Sequence, residues 1–169
     1  TACGRPAVWR LAPTALPTAS FPGMFPGAHA ETTPDKPAIV MGGSGRVVTY
    51  AQLDAEANRV SRVLRSLGLQ PGDHVAFCLE NHPHFLALAW GAHYAGLYYT
   101  AMSSRLTTEE MAYIVEDCGA RVFVTSAYKA DQAAELVGRL PDGVDLYMRD
   151  GTVEGYKPWE EALAAQPPT

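Results

Sequence analysis

His82 and His84, on either side of Pro83, are the side chains of this sequence with the widest chemical reach. Imidazole ligates metals, moves protons near neutral pH and holds polar substrates. The pair follows the apolar run Val75–Leu79, and open α/β sheets bind ligands beyond the carboxyl ends of their strands. Two residues apart in a helical first turn, however, the rings would not share a face. No third ligand stands at a recognisable spacing. A polar first-turn role is therefore the expectation, with substrate contact as the alternative.

Gly42-Gly43-Ser44-Gly45 is the one glycine-rich loop. A phosphate cradle needs a strand leading in and a helix N-terminus leading out, so that amides and dipole converge on the anion. Here β-prone residues lie on both sides and no Gly-Lys-Ser/Thr follows, so a plain hairpin is expected. Ser103 and Ser104 follow a strand without a recognisable base, which leaves no activated nucleophile. Glu80, Glu109, Glu110, Glu116 and Asp117 read as capping or solvated positions. Trp90 and His93 sit three apart on a mostly apolar helix and read as packing, while Tyr98, Tyr99 and Thr100 are β-formers by propensity. Cys3, Cys78 and Cys118 are too far apart for a disulfide framework or a cysteine zinc site. Cys78 and Cys118 fall on apolar stretches, where the thiol acts as a small hydrophobe, and reduced thiols in a cytosolic protein are expected. No catalytic, cofactor-binding or metal-ligating residue is assigned.

The elements that would position these side chains begin near Pro37. Ala38–Met41 and Arg46–Thr49 form the expected hairpin. Thr49 and Gln52 make a capping box, and Leu53, Ala57, Val60, Leu64 and Leu67 follow as one helical stripe closed by Gly68. Val75–Leu79 is continuously apolar, as a strand covered on both faces would be. Asn81 is expected to cap the next helix, with Pro83 in its first turn and Phe85, Leu88, Ala89 and Ala92 buried before Gly96. Leu97–Ala101 is the next strand. Thr107 and Glu110 form a second capping box ahead of Met111, Ile114, Val115 and Cys118, and Gly119 ends that helix. Val122–Thr125 is a third buried strand. A weaker helix at 130–137, a strand at 144–148 and a short helix at 159–164 complete the pattern. Strands alternating with helices predict an α/β fold: a doubly wound, mostly parallel but incomplete sheet with right-handed crossovers and helices on both faces, preceded by the hairpin.

Length and composition narrow the function classes. The chain has 169 residues, 47% of them hydrophobic, enough for one domain with its own core. The net charge of −5 argues against a nucleic-acid partner. A mean hydropathy of −0.07 with 18% charged residues excludes a largely disordered chain, and no apolar run approaches the length of a membrane span. The sequence opens on Thr1 rather than Met, so it begins inside a longer chain or was processed. Seven of its 13 prolines lie in residues 1–37. Residues 1–23 are accordingly expected to be a disordered or non-native lead, 24–37 an extended approach segment, 38–165 the α/β lobe and 166–169 a linker. Arg5 and Arg10 hint at targeting, but Pro6, Pro13 and Pro17 break any amphipathic helix there.

The order of these signals carries a resemblance. Val48-Thr49-Tyr50-Ala51-Gln52-Leu53 opens the first long helix, and Pro71-Gly72-Asp73-His74-Val75-Ala76 leads into the first buried strand. Glu80-Asn81-His82-Pro83-His84-Phe85, Tyr94-Ala95-Gly96-Leu97 and Arg105-Leu106-Thr107-Thr108-Glu109-Glu110-Met111 follow. Together they resemble the N-terminal part of AMP-forming acyl-CoA synthetases of the adenylate-forming superfamily, most of all bacterial fatty-acid–CoA ligases, over about Phe25 to Pro168. The resemblance implies a two-step reaction in which a carboxylic acid, expected to be a fatty acid in this kind of enzyme, is activated by ATP as an acyl-adenylate and then transferred to CoA.

It also implies ATP, Mg²⁺ and CoA as cofactors of the full-length enzyme, none of them bound to this stretch. Its partners would be the rest of its own polypeptide and a fatty or other carboxylic acid, with no nucleic acid and no transmembrane segment; peripheral membrane contact stays open, and the cytoplasm is the expected location. The Ser/Thr/Gly-rich nucleotide loop ending in Pro-Lys-Gly and the C-terminal catalytic lysine are not in this sequence, so the stretch alone is expected to be inactive. Two features depart from the resemblance: Ala101 and Ser103 stand where such enzymes often carry Pro and Asn. Similar proteins tend to start near Met24, which makes residues 1–23 upstream sequence, although the echo of Phe21-Pro22-Gly23 in Phe25-Pro26-Gly27 leaves this open. A self-standing flavodoxin-like binding module and the leading part of an amino-acid-activating adenylation domain remain as alternatives.

Overall fold

The computed structural model describes residues 24–167; the lead 1–23 with Cys3, and the last two residues of the expected linker, lie outside them. The hairpin forms as expected: β1 (Pro37–Val40) and β2 (Val47–Thr49) pair antiparallel, with Val40 opposite Val47 and a bulge between Pro37 and Ile39. Helix α2 (Tyr50–Ser66) starts on the predicted capping box, in which the Gln52 N–H donates to Thr49 Oγ1 at 3.3 Å and the Thr49 N–H donates to Gln52 Oε1 at 3.0 Å.

Five parallel strands make the main sheet: β3 (His74–Cys78), β4 (Tyr98–Met102), β5 (Ala120–Ser126), β6 (Asp145–Arg149) and the two-residue β7 (Lys157–Pro158). Their order is β4-β3-β5-β6-β7. The chain leaves β3 to one side for β4 and returns to the other for β5, so the winding reverses between β3 and β5. Side-chain alternation along β3 and β5 feeds two cores. Val75, Phe77, Val122 and Val124 pack with α2, α3 (Phe85–Ala95) and α6 (Trp159–Ala164), whereas Ala76, Cys78 and Phe123 pack with α4 (Thr108–Asp117) and α5 (Ala130–Leu136). Burying each of these valine and phenylalanine side chains contributes roughly 1.5–3 kcal/mol, which holds both helix layers on a sheet too apolar to face water.

Helix α3 is apolar nearly all round because it is covered by both α2 and the sheet. The two helices approach closely at Gly91, where a Cβ would stand 2.3 Å from Val60 Cγ1 and 2.9 Å from the Ala57 carbonyl. The second capping box, Thr107 with Glu110, is in place, and Gly68, Gly96 and Gly119 adopt the positive φ that ends their helices.

Three expectations change. The segment 24–37 is not extended throughout: α1 (Pro26–Thr32) forms inside it, with Pro26 in the first turn, where its fixed φ suits a helix and its missing N–H costs nothing. Phe25 packs edge-on against Tyr94, and the Tyr94 hydroxyl accepts the Gly27 N–H at 3.3 Å and donates to Asp54 at 2.7 Å. Asn81 does not cap α3. That helix begins at Phe85 with His84 as its N-cap and no side-chain cap, because residues 81–84 close a turn in which the Phe85 N–H donates to the His82 carbonyl at 3.1 Å. The strand β7 was not expected; it is an edge strand, the place where a proline is tolerated.

Candidate functional site

The carboxyl ends of β3, β5 and β6 open on one side of the sheet, and the ionisable side chains gather there. Having left the helix, His82 and His84 stack with ring centroids 5.1 Å apart. The His84 N–H donates to His82 Nδ1 at 3.2 Å, which leaves His82 Nε2 to donate to Asp150 Oδ2 at 2.9 Å. His84 reaches the opposite way. Its Nδ1 lies 2.7 Å from Glu56 Oε1 on α2, and its Nε2 meets the Arg149 guanidinium. One protonation pattern satisfies both contacts: Nδ1 donates to the carboxylate and Nε2 accepts from arginine.

Arg149, the last residue of β6, is the hub of the cluster. Its side chain is 11% exposed and lies 3.8 Å from Glu160, 3.9 Å from Glu56 and 4.0 Å from Asp150. Nε and Nη1 are buried with no hydrogen-bond partner among the described residues. Burial lowers the Arg149 pKa, and the three carboxylates oppose that shift. The hydrogen bond from His84 holds the Glu56 carboxyl below its ordinary range against burial, with the charges of Arg149 and Arg59 assisting. Burial lowers His82, against the hydrogen bond and charge of Asp150. Asp150 takes a positive φ of 59° and donates its N–H to Glu160 Oε1 at 2.9 Å. The cluster thus ties α2, the β3–α3 turn, the end of β6 and the start of α6 into one unit.

A second group stands at the reversal between β3 and β5. Ser126 Oγ donates to Glu80 Oε2 at 2.5 Å, and Thr125 Oγ1 donates to the Cys78 carbonyl at 2.9 Å. Lys129 is only 7% exposed, and its Nζ donates to the Ser104 carbonyl at 2.7 Å. Cys78 is fully buried, and burial raises its thiol pKa, the environment of an inert cysteine.

The remaining candidates resolve into local roles. Ser103 Oγ accepts the Arg105 N–H at 3.2 Å, and Ser104 offers only its carbonyl to Lys129, so neither faces a base. Glu110 completes its capping box, and Glu109 pairs with Arg139 at 2.8 Å on the surface. Trp90 and His93 pack against each other, and His93 meets Tyr99 edge-on. Gly42–Gly45 joins two antiparallel strands, so its amides do not converge at a helix N-terminus. Among the described residues no group of three His, Cys, Asp or Glu side chains could hold a metal ion. The sequence pattern marks the two histidines but not Glu56, Arg149, Asp150 or Lys129. One signal was available for the second of these: Arg149-Asp150-Gly151 follows an expected strand, as His82 and His84 do. The histidine–arginine cluster orients and bridges elements, and the hydroxyl of the second group that meets a carboxylate, Ser126 on Glu80, is fully buried.

Comparison with known proteins gives this geometry its context. The family profile described as AMP-binding enzyme matches residues 27–167. Long-chain fatty acid transport protein 1 of Bos taurus is 34% identical over 156 residues, covering 83% of this chain and 24% of that protein. The 3-hydroxybenzoate–CoA ligase of Aromatoleum sp. (strain CIB) is 30% identical over 140 residues, 83% of this chain and 26% of the ligase. The solved Mycobacterium tuberculosis fatty acyl CoA synthetase superposes with a TM-score of 0.74 at 28% identity, covering 85% of this chain and 28% of that one. The chain therefore spans about a quarter of the length of these relatives.

Proposed function

Because the chain belongs to the AMP-binding enzyme family, we propose that it is the leading α/β part of an ATP-dependent acid–thiol ligase. The full enzyme joins a carboxylic acid to ATP, releasing pyrophosphate and giving an acyl-adenylate, and the CoA thiol then displaces AMP. A poor leaving group is thereby exchanged for a good one. Mg²⁺, when bound, offsets the negative charge of the transferring phosphates. One observation carries this reading: the family match runs through the whole described α/β lobe, residues 27–167.

The residues present do not fit a nucleotide's phosphates or Mg²⁺. The glycine-rich turn sits in a hairpin, and the carboxylates clustered at the strand ends, Glu56, Asp150 and Glu160, surround Arg149. We therefore assign ATP, Mg²⁺ and CoA binding to the remainder of the polypeptide. Residues 24–165 act as a scaffold, no catalytic group comes from them, and the enzyme works in the cytoplasm. A fatty acid is the proposed substrate, supported by the fatty-acid names of the cattle and mycobacterial relatives. The similarity to a 3-hydroxybenzoate ligase makes an aromatic acid the second reading.

Carboxylate-dependent ATP–pyrophosphate exchange tests both parts. The full-length enzyme should exchange with a long-chain fatty acid in preference to 3-hydroxybenzoate, and the 169-residue chain should not exchange at all. Robust exchange by the short chain would overturn the division of labour. Absence of exchange by the full-length enzyme with either acid would overturn the ligase reading.

A further inference from the structure

Three aromatic rings, Phe25, Tyr50 and Trp90, border one cleft of about 210 Å³ between α1, the start of α2 and the first half of α3. Ring contacts hold them there. Phe25 and Trp90 both pack on Tyr94, with centroids 6.5 Å and 6.2 Å away, and Tyr50 stands 4.6 Å from the His29 ring. The Met24 thioether and Leu86 belong to the same lining, and no Lys, Arg, Asp or Glu does. A carboxylate stands beside this wall. Asp54 is one turn along α2 from Tyr50, and a Cβ at Gly27 would lie 3.1 Å from Asp54 Oδ1 and 2.7 Å from the Phe25 ring. Asp54 takes part in no ion pair among the described residues; it accepts from the Tyr94 hydroxyl at 2.7 Å and from Asn58 Nδ2 at 3.0 Å, both uncharged donors. Burial first, and then the hydrogen bond and charge of Asp54, raise the Tyr94 pKa, so this donor does not neutralise the carboxylate. The cleft thus combines three electron-rich rings with a nearby carboxylate that lacks a counter-ion, and His29 is its only lining group able to carry positive charge.

We propose that this cleft binds a small, free quaternary ammonium ion of the choline type. Aromatic rings attract a cation through their quadrupoles, and the attraction grows as the cation is desolvated. The cation must be one whose charge is carried on methyl groups. With no carboxylate and no amide side chain in the lining, a primary ammonium would lose hydrogen bonds to water that the cleft does not replace. A quaternary ammonium has no N–H to satisfy. At about 210 Å³ the cleft is smaller than sites for whole drug-sized ligands, roughly 300–1,000 Å³, and suits a compact head group. The site uses none of the cluster around Arg149 and needs neither ATP nor the remaining polypeptide, so its failure would leave the ligase reading intact, and the reverse also holds.

The test is a titration of the isotope-labelled 169-residue chain with choline in mildly alkaline buffer, followed by amide chemical shifts. Saturable shifts should map to residues 24–29, 50–54 and 86–90. The neutral isostere of choline, in which a quaternary carbon replaces the nitrogen, should not saturate, and ethanolamine should bind more weakly than choline. Trp90→Leu and Tyr50→Leu keep an apolar side chain and remove a ring, so each should weaken choline binding several-fold, whereas Trp90→Phe should retain most of it. Asp54→Asn should weaken binding without moving the mapped site. Tyr113→Leu, which removes an exposed ring of α4, should leave binding unchanged. The proposal is overturned if choline gives no saturable shifts, if the shifts map elsewhere, if the neutral isostere binds as tightly, or if the two leucine variants bind as well as the unaltered chain. Sedimentation with phosphatidylcholine vesicles in the absence of saturable choline shifts would also overturn it, by making the rings a membrane contact.

Discussion

Burial and the Asp150 carboxylate pull on His82 in opposite directions, and burial is the larger, so the folded protein resists charging this ring. As the pH falls through the ordinary histidine value of 6.5, the unfolded chain takes up the proton first. The stability that depends on a neutral His82 is therefore complete above that value and is lost as pH falls toward the lower folded value. Glu56 has the same sign in another window. Its folded pKa lies below the ordinary 4.5, so its share is intact above 4.5 and lost as pH falls further. Urea unfolding followed from neutral into acid should show two successive losses. His82→Gln should flatten the first, since an amide can still donate to Asp150 without titrating, and should leave the second. An unchanged slope below 6.5 in the variant would refute the assignment. The histidines were visible in the sequence as types. Their partners were not: Glu56 and Arg149 stand far along the chain and meet His84 only because α2 and β6 are brought to the same edge by the sheet, which no local pattern encodes.

Local signals did encode most of the helices, and the start of α3 was lost to a competing local turn. Both capping boxes form because the Ncap and N3 residues need only each other. The start of α3 failed because the turn before it is closed by His82 and His84 rather than by Asn81. Gly91 shows the same competition inside a helix. By propensity, Gly91→Ala should gain about 1 kcal/mol. The added methyl, however, would sit 2.4 Å from Val60 Cβ and 2.9 Å from the Ala57 carbonyl, and a backbone atom cannot swing aside. Overpacking of this kind costs about 1–3 kcal/mol, so the variant should be less stable than wild type and melt at a lower temperature. Combining it with Val60→Ala should cost less than the sum of the two single changes, since the second removes part of the collision. A more stable Gly91→Ala variant would show that α2 and α3 lie farther apart than described.

Strand order was half legible in the whole molecule. The continuous apolar runs that became β3 and β5 mark the centre of a sheet covered on both faces, and these two strands are neighbours in the middle. That the chain reverses between them was not legible, because composition does not say to which side of β3 the strand β4 will go. The reversal leaves β4 as one edge and β7 as the other. The β7 edge is protected by its length of two residues, by Pro158 and by charged Lys157. The β4 edge has none of these protections: it runs five residues, carries no charge and presents Tyr98 at 63% exposure beside His74. An unpaired parallel edge of this length is a template for another strand. Sedimentation of the 169-residue chain should therefore show association that grows with concentration. Tyr98→Lys, which places a charge on the edge without touching either core, should return the chain to monomer with its secondary structure unchanged. Concentration-independent monomer in the unaltered chain, or association undiminished by the lysine, would mean that the β4 edge is not what brings the copies together.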